Sequence, residues 1–378
     1  MLKKCLALLL ALAVLWCAVP AVQAADGGLI AAPSGVLMEA STGKILYEKN
    51  AHVQRPCASV TKVMTLLLVM EAMDSGRLHM DDVITASEHA ASMGGSDIWL
   101  EPGEKMSVRD MLKATVVASA NDAAVALAEQ VSGSEEAFVT QMNSRAAELG
   151  MNDTVFKNCN GLDEEGHLTS AYDVAVMSRA LCRHREIFDF TSIWLDNLRD
   201  GKTQIVNTNK LLKSYKGITG LKTGTTDDAG CCIAATATRD NMSLIGVVLG
   251  ADTGKQRFAD AAALLDYGFA NFAVEELKVP DDLPESLAVE DGMAKSVPVH
   301  CDVTANVVRH KASADEPQAT PELPETLSAP VLEGERVGTV VYRLGGEEQR
   351  FPILADRDVP KASYRLMLGA AFASLLKI

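Results

Sequence analysis

Two familiar metal-binding spacings are missing from this sequence. It contains no Cys-x-x-Cys pair and no His-Glu-x-x-His run, so no structural or catalytic zinc site is expected, and no cofactor is implied. Positive charge is also scarce: 35 Lys and Arg stand against 50 Asp and Glu, a formal net charge of -15. A sequence-independent grip on nucleic acid needs clustered cations, so nucleic acid is excluded as a partner. The two apolar stretches at the ends of the chain, Leu6 to Val19 and Leu366 to Ile378, are each short for a membrane-spanning run.

What is present suits a globular protein of two domains. The length is 378 residues, with 48% hydrophobic and 22% charged residues. Lys3-Lys4, an apolar run from Leu6 to Val19 and the small residues up to Ala24 describe a secretory signal peptide cleaved after Ala24. Cys5 and Cys17 leave with it. Cys57, Cys159, Cys182, Cys231, Cys232 and Cys301 remain, an even number that permits disulfides without specifying them. Cys231 and Cys232 are adjacent and are expected on opposite faces of a strand.

One stretch stands out for chemistry. Read as a helix from Ala58, Ser59 falls in the first turn and Lys62 lies three residues on, on the same face. Val63, Met64, Leu66, Leu67 and Met70 cover most of the circumference, so this helix is expected to be buried. A hydroxyl at the start of a buried helix with an amine one turn away is a mounting for a nucleophile and its base, and the positive helix start favours an oxyanion. The chain holds a second Ser-x-x-Lys, Ser41 to Lys44. It separates Val36-Leu37-Met38 from Ile45-Leu46-Tyr47 and reads as the tip of a β-hairpin.

Asp74 to Trp99 is polar and reads as surface loop with little core. Val108 to Gln130 has the spacing of one helix, and Ser119-Ala120-Asn121 lies within it. Helices are expected over Glu135 to Leu149 and Ser170 to Arg183, with a turn-rich loop between them and an irregular segment, His184 to Gln204, after them. Gly217 to Thr226 carries Lys222-Thr223-Gly224. Two antiparallel strands (Cys231 to Thr238, Ser243 to Leu249) and a helix from Gln256 to Phe272 follow. This order predicts an α+β fold, an antiparallel sheet with packed helices. From Leu277 onward, short alternating runs at 296–299, 303–308, 337–342 and 351–354 predict a small all-β sandwich, with a Pro/Glu/Ala-rich loop from Ala312 to Pro324. The apolar end, Lys361 to Ile378, reads as an amphipathic helix lying in a membrane interface or packed on the β module. The expected divisions are 1–24, 25–272, 273–360 and 361–378.

Ser59-x-x-Lys62, Ser119-x-Asn121 and Lys222-Thr223-Gly224 occur in the order that marks class A β-lactamases and penicillin-binding proteins. Alongside them stand Ala118 to Ala124, Gly161-Leu162, His167 to Asp173 and Asn207 to Leu212. On these residues the chain resembles the serine-type D-alanyl-D-alanine carboxypeptidases, the low-molecular-mass penicillin-binding proteins, over nearly its whole length. The resemblance implies a β-lactamase/transpeptidase-like domain with helices on both faces of its sheet, then the β domain and tail of membrane-tethered members. The implied substrates are peptidoglycan stem peptides ending in D-Ala-D-Ala, with β-lactams as covalent inhibitors, at the outer face of the cytoplasmic membrane.

The implied roles are specific. Ser59 attacks, Lys62 takes its proton and Ser119 relays a proton to the leaving amine. Asn121 holds the substrate amide and the Lys62 amine, and Lys222 is the second cation. Gly224 leaves room for the substrate backbone, and the amides of Ser59 and Thr225 form the oxyanion hole. Thr223 and Arg257 are the donors for the terminal carboxylate. A class A β-lactamase is a rival reading, but it calls for an aspartate where Ala120 stands and a dedicated deacylating carboxylate. A cross-link-cutting endopeptidase uses the same acyl chemistry. A non-catalytic wall-binding protein would be expected to have lost Lys62 or Ser119.

Overall fold

Val36 and Met38 enter one apolar core while Leu37, between them, enters another. Such alternation places a strand in the middle of a sheet covered on both faces. The structure, a computed structural model, describes residues 28–368; the expected signal peptide and residues 369–378 of the expected tail lie outside that range.

The chain opens with the expected hairpin, β1 (Ser34–Glu39) and β2 (Ile45–Lys49). A 3-10 turn, Ala58–Thr61, leads into α1 (Lys62–Asp74), buried at every position from Lys62 to Met70. Segment 75–107 then holds a two-stranded ribbon, β3 (Val83–Thr85) with β4 (Lys105–Ser107), and the short α2 (Glu88–Ala91). This part is less core-poor than expected, because Ile84, Ala86, Ala90 and Ile98 are all buried.

The helix expected over Val108 to Gln130 is two helices, α3 (Val108–Lys113) and α4 (Asn121–Ser132). A π-turn, Ala114–Ala118, and Ser119 at φ 62° separate them. Apolar spacing continues across this break, so periodicity alone reads straight through it. Next come α5 (Glu135–Glu148), α6 (Ala171–Leu181) and the one-turn α7 (Phe188–Thr191). The segment expected to be irregular contains a ribbon, β5 (Leu195–Leu198) with β6 (Thr203–Val206).

Three long strands complete the main sheet: β7 (Ile218–Thr226), β8 (Gly230–Arg239) and β9 (Met242–Ala251). The strand order is β2-β1-β9-β8-β7, antiparallel throughout. α8 (Gly254–Asn271) packs on one face with Leu37, Ile233, Leu244 and Val248, and α1 and α6 pack on the other. Cys232 faces the α1 side and Cys231 the α8 side, as adjacent strand residues must. All six cysteines of the described residues are free thiols.

α8 runs without a loop into β10 (Phe272–Glu276), which pairs with β13 (Asn306–His310). A second sheet combines β11 (Ser286–Glu290), β12 (Ser296–His300), β14 (Gln318–Glu322), β15 (Thr326–Ser328), β16 (Arg336–Leu344) and β17 (Glu347–Ala355), in the order β14-β16-β17-β12-β11-β15. Its core centres on Val297, Val340, Ile353 and Val359. Strand β14 lies in the segment expected to be loop. It is an edge strand, where Pro321 is tolerated. Among the described residues no helix is long and apolar enough to cross a membrane.

Asp260 on α8 ties the start of the chain to this frame. Its carboxylate accepts from the amides of Ala31 (3.0 Å) and Ala32 (2.8 Å). Asp260→Ala leaves the buried Ala32 amide without an acceptor and is expected to lower stability by about 1–3 kcal/mol, read by urea denaturation, with penicillin labelling of the folded protein unchanged.

Candidate active site

The backbone around Ser59 is set by its neighbours. Ala58 has φ 50°, which starts the 3-10 turn and presents Ser59 at its edge. Two glycines permit this. A Cβ on Gly161, at φ 85°, would lie 2.0 Å from the Ala58 carbonyl oxygen. A Cβ on Gly224 would lie 2.8 Å from the Ser59 amide nitrogen and 2.7 Å from the Cys57 carbonyl oxygen. The requirement at Gly224 therefore comes from β7 pressing against the Ser59 turn, in addition to any need of a substrate.

Lys62 is the first residue of α1 and is 0% exposed. Its Nζ donates to Ser59 Oγ (3.0 Å), Asn121 Oδ1 (2.5 Å) and the Asn160 carbonyl (2.7 Å). Those three acceptors match the three hydrogens of an ammonium group. Burial nevertheless disfavours the charge and lowers its pKa to about 7, with Cys159, Asp122 and Cys57 opposing. Asn121 is fixed in turn, its Nδ2 donating to the Gly94 carbonyl (2.7 Å) and its amide to the Ser96 carbonyl (2.7 Å).

The left-handed turn at Ser119 brings its hydroxyl to Lys222, whose Nζ donates to Ser119 Oγ at 2.8 Å and to the Thr223 carbonyl at 3.0 Å. Lys222 is buried, and its pKa lies well below the ordinary value, first through burial and then through the charges of Lys62 and Arg257. The hydroxyl partner of Lys222 is thus Ser119, and that of Lys62 is Ser59. Each amine has its own hydroxyl.

β7 is the edge of its sheet, paired only with β8. Thr223 is buried, and its hydroxyl bonds that of Thr208 at 2.6 Å. Thr225 is exposed at the rim. Arg257 is 7% exposed, and its Nη1 donates to the Gly224 carbonyl and to Thr225 Oγ1, both at 3.0 Å. It braces β7 from behind and places a cation there.

Ser41 and Lys44 do not join the site: Ser41 Oγ donates to Glu39 and Lys44 pairs with Glu347. A cavity of about 360 Å³ beside Ser41, Arg179 and Phe188 likewise includes none of the site residues.

Comparison with known proteins fits this geometry. A family model described as D-alanyl-D-alanine carboxypeptidase matches residues 20–253, and one described as the C-terminal domain of penicillin-binding protein 5 matches 272–361. The chain belongs to the D-alanyl-D-alanine carboxypeptidase family. It is 43% identical over 338 residues to D-alanyl-D-alanine carboxypeptidase DacF of Bacillus subtilis (strain 168), covering 88% of this chain and 87% of that one. Penicillin-binding protein 5 from Haemophilus influenzae superposes with a TM-score of 0.77 at 32% identity, over 88% of this chain and 98% of that one. Penicillin-binding protein D2 from Listeria monocytogenes, in its ampicillin-bound form, matches with a TM-score of 0.58 at 34% identity, over 64% and 98%. The chain is accordingly a serine-type carboxypeptidase.

In this carboxypeptidase, several residues around the site had no role assigned from sequence. The Asn160 carbonyl holds Lys62, the Thr208 hydroxyl holds Thr223, and the Asp122 carboxylate accepts from the amides of Ile98 (3.1 Å) and Leu100 (3.0 Å). Thr61 Oγ1 lies 2.8 Å from Nε2 of buried His167, whose Nδ1 accepts the Lys157 amide. Nε2 therefore carries the proton, and burial lowers the His167 pKa to about 4, so the ring stays neutral. Asn160-Gly161 was visible as a turn signal, but contacts made by a backbone carbonyl leave no mark in side-chain identity.

Gly224→Ala sets a methyl group against immovable backbone. It is expected to slow acylation by penicillin about 100-fold through displacement of the Ser59 turn, measured by the rate of covalent labelling, while circular dichroism stays that of the parent.

Proposed function

We propose that Ser59 is the nucleophile of this carboxypeptidase, Lys62 its base and Ser119 the relay to the leaving D-alanine. The observation that carries the reading is the 3.0 Å contact between Ser59 Oγ and a lysine that is fully buried and needs little to be neutral. A neutral Lys62 accepts the hydroxyl proton as Oγ attacks the carbonyl carbon between the two terminal D-alanines of a peptidoglycan stem peptide. The amides of Ser59 and Thr225 hold the resulting oxyanion, with Gly224 keeping β7 close to Ser59.

As the C–N bond breaks, the leaving nitrogen takes a proton from Ser119, which Lys222 replenishes across their 2.8 Å contact. Lys222 needs a charge for that step. The substrate's terminal carboxylate supplies the counter-charge that burial withholds, raising the Lys222 pKa when the peptide is in place. Thr223 and Arg257 are the donors for that carboxylate, with the exposed Thr225 hydroxyl, to which Arg257 donates, beside them. Water then attacks the ester carbonyl carbon, passing a proton through Ser119 back to the neutral Lys222, while Lys62 returns its proton to Ser59 Oγ as the ester C–O bond breaks, leaving a stem peptide shorter by one residue. β-Lactams enter the first half of the sequence and stop at the ester.

In this reading residues 1–24 export the chain, 25–272 form the catalytic unit, 273–360 hold it away from the cell surface, and 361–378 touch the outer face of the cytoplasmic membrane. Tyr364, Leu366, Met367 and Leu368, all exposed, support the last role.

Mass spectrometry of the intact protein after benzylpenicillin treatment is expected to show one adduct, absent in Ser59→Ala; an adduct persisting in that variant assigns the nucleophile elsewhere. The rate of acylation also reports the base. With a folded-state pKa near 7, Lys62 is an ammonium below that pH and an amine above it. The second-order rate constant is therefore expected to rise through pH 7 and level off by pH 8–9 (a span of about two units for one titrating group). A profile flat from pH 5 to 9 overturns Lys62 as the base.

A further inference from the structure

The Asn160 carbonyl receives one of the three hydrogen bonds of Lys62, so whatever fixes that carbonyl also fixes the base. Cys159, the residue before it, is clamped at both ends of its backbone. Its amide donates to Glu135 Oε1 at 3.0 Å, and its carbonyl accepts from Thr65 Oγ1 at 2.5 Å. Thr65 lies three residues beyond Lys62 on α1, so one clamp is built into the same helix as the base. The other comes from the first residue of α5.

We propose that Glu135 is a positioning residue for Lys62, acting through the Cys159 amide and the Asn160 carbonyl. Its side chain is 13% exposed, and its second oxygen meets His89 Nε2 of α2 at 2.7 Å. That bond raises the pKa of His89, so the ring is a donor to the carboxylate; the other charged groups acting on the ring are Glu129 and Glu136. Glu135 is thereby held from α2 while it holds the 158–161 loop. The charged groups nearest Lys62 in the site are Asp122 and Lys222, and Glu135 makes no contact with Nζ, meeting it only through the Cys159 amide and the Asn160 carbonyl. The carboxylate therefore works through geometry.

Release of the loop takes one acceptor from the Lys62 amine. An ammonium depends on that acceptor more than a neutral amine does, so its loss favours the neutral form and moves titration to lower pH. It also loosens the approach of Nζ to Ser59 Oγ, which slows proton transfer. A change that merely unfolds part of the population lowers the amount of labelled protein and leaves the pH profile in place. These two outcomes separate a positioning role from a structural one.

The inference rests on Lys62 being the base, and the experiment distinguishes the two claims. Acylation by a fluorescent penicillin is followed from pH 5 to 9 in the parent protein, Glu135→Ala, Glu135→Gln and Thr65→Val, with the labelled fraction counted at completion. Glu135→Ala is expected to label fully but about 10-fold more slowly on the plateau, with its acid limb displaced downward by about half a pH unit. Glu135→Gln keeps Oε1 as an acceptor and is expected within about 2-fold of the parent with its limb unmoved. Thr65→Val removes the opposite clamp at nearly constant volume and is expected to shift the limb as Glu135→Ala does, which keeps the test open if Glu135→Ala does not fold. A parental acid limb that neither Glu135→Ala nor Thr65→Val moves overturns the positioning role alone, as does a Glu135→Gln as impaired as Glu135→Ala. No acid limb in the parent overturns the role of Lys62.

Discussion

A lysine amine shut away from water among neutral acceptors is the constraint on which this site depends. Among the described residues Lys62 has no carboxylate within bonding distance; its partners are a hydroxyl, a side-chain amide and a backbone carbonyl. Asp122, the buried acid that acts on it from farther away, is committed to the amides of Ile98 and Leu100. A carboxylate against Nζ would hold the proton and keep the amine charged. The surrounding core, from Val63 to Met70 on α1, provides the low-polarity setting that an exposed lysine would lack.

Close backbone contact is the second requirement. The Ser59 turn is wedged between the Asn160-Gly161 loop and the edge strand β7, and a glycine stands at each point of contact. Neither approach tolerates a methyl group. The fold therefore sets the distance from Ser59 to β7 by removing side chains, and Arg257 supports β7 from behind through the Gly224 carbonyl.

Much of the fold and the site was legible in the sequence because it was written in side chains. The hairpin at β1–β2, the strands β8 and β9 and α8 follow from alternation, helical spacing and turn residues. Lys62, Ser119 and Lys222 stood out as titratable or hydroxyl residues in ordered motifs. The break at Ser119 did not, since Val116, Val117 and Val125 keep a helical rhythm across a turn that is not helical. Asn160 and Glu135 escaped as well, because what matters there is a carbonyl and an amide that every residue type carries. Strand β14 was hidden by Pro321 and its acidic neighbours, which suit an edge and resemble a loop.

The six unpaired sulfurs bear on how such a protein matures. Burial pushes the Cys57 thiol to about 11 and those of Cys182 and Cys232 to about 12, and raises Cys159 and Cys301 as well. A thiol that stays protonated is a slow partner in sulfur exchange. Once packed, those five sulfurs are poor targets for exchange, and the described residues contain no sulfur–sulfur bond for a reductant to break.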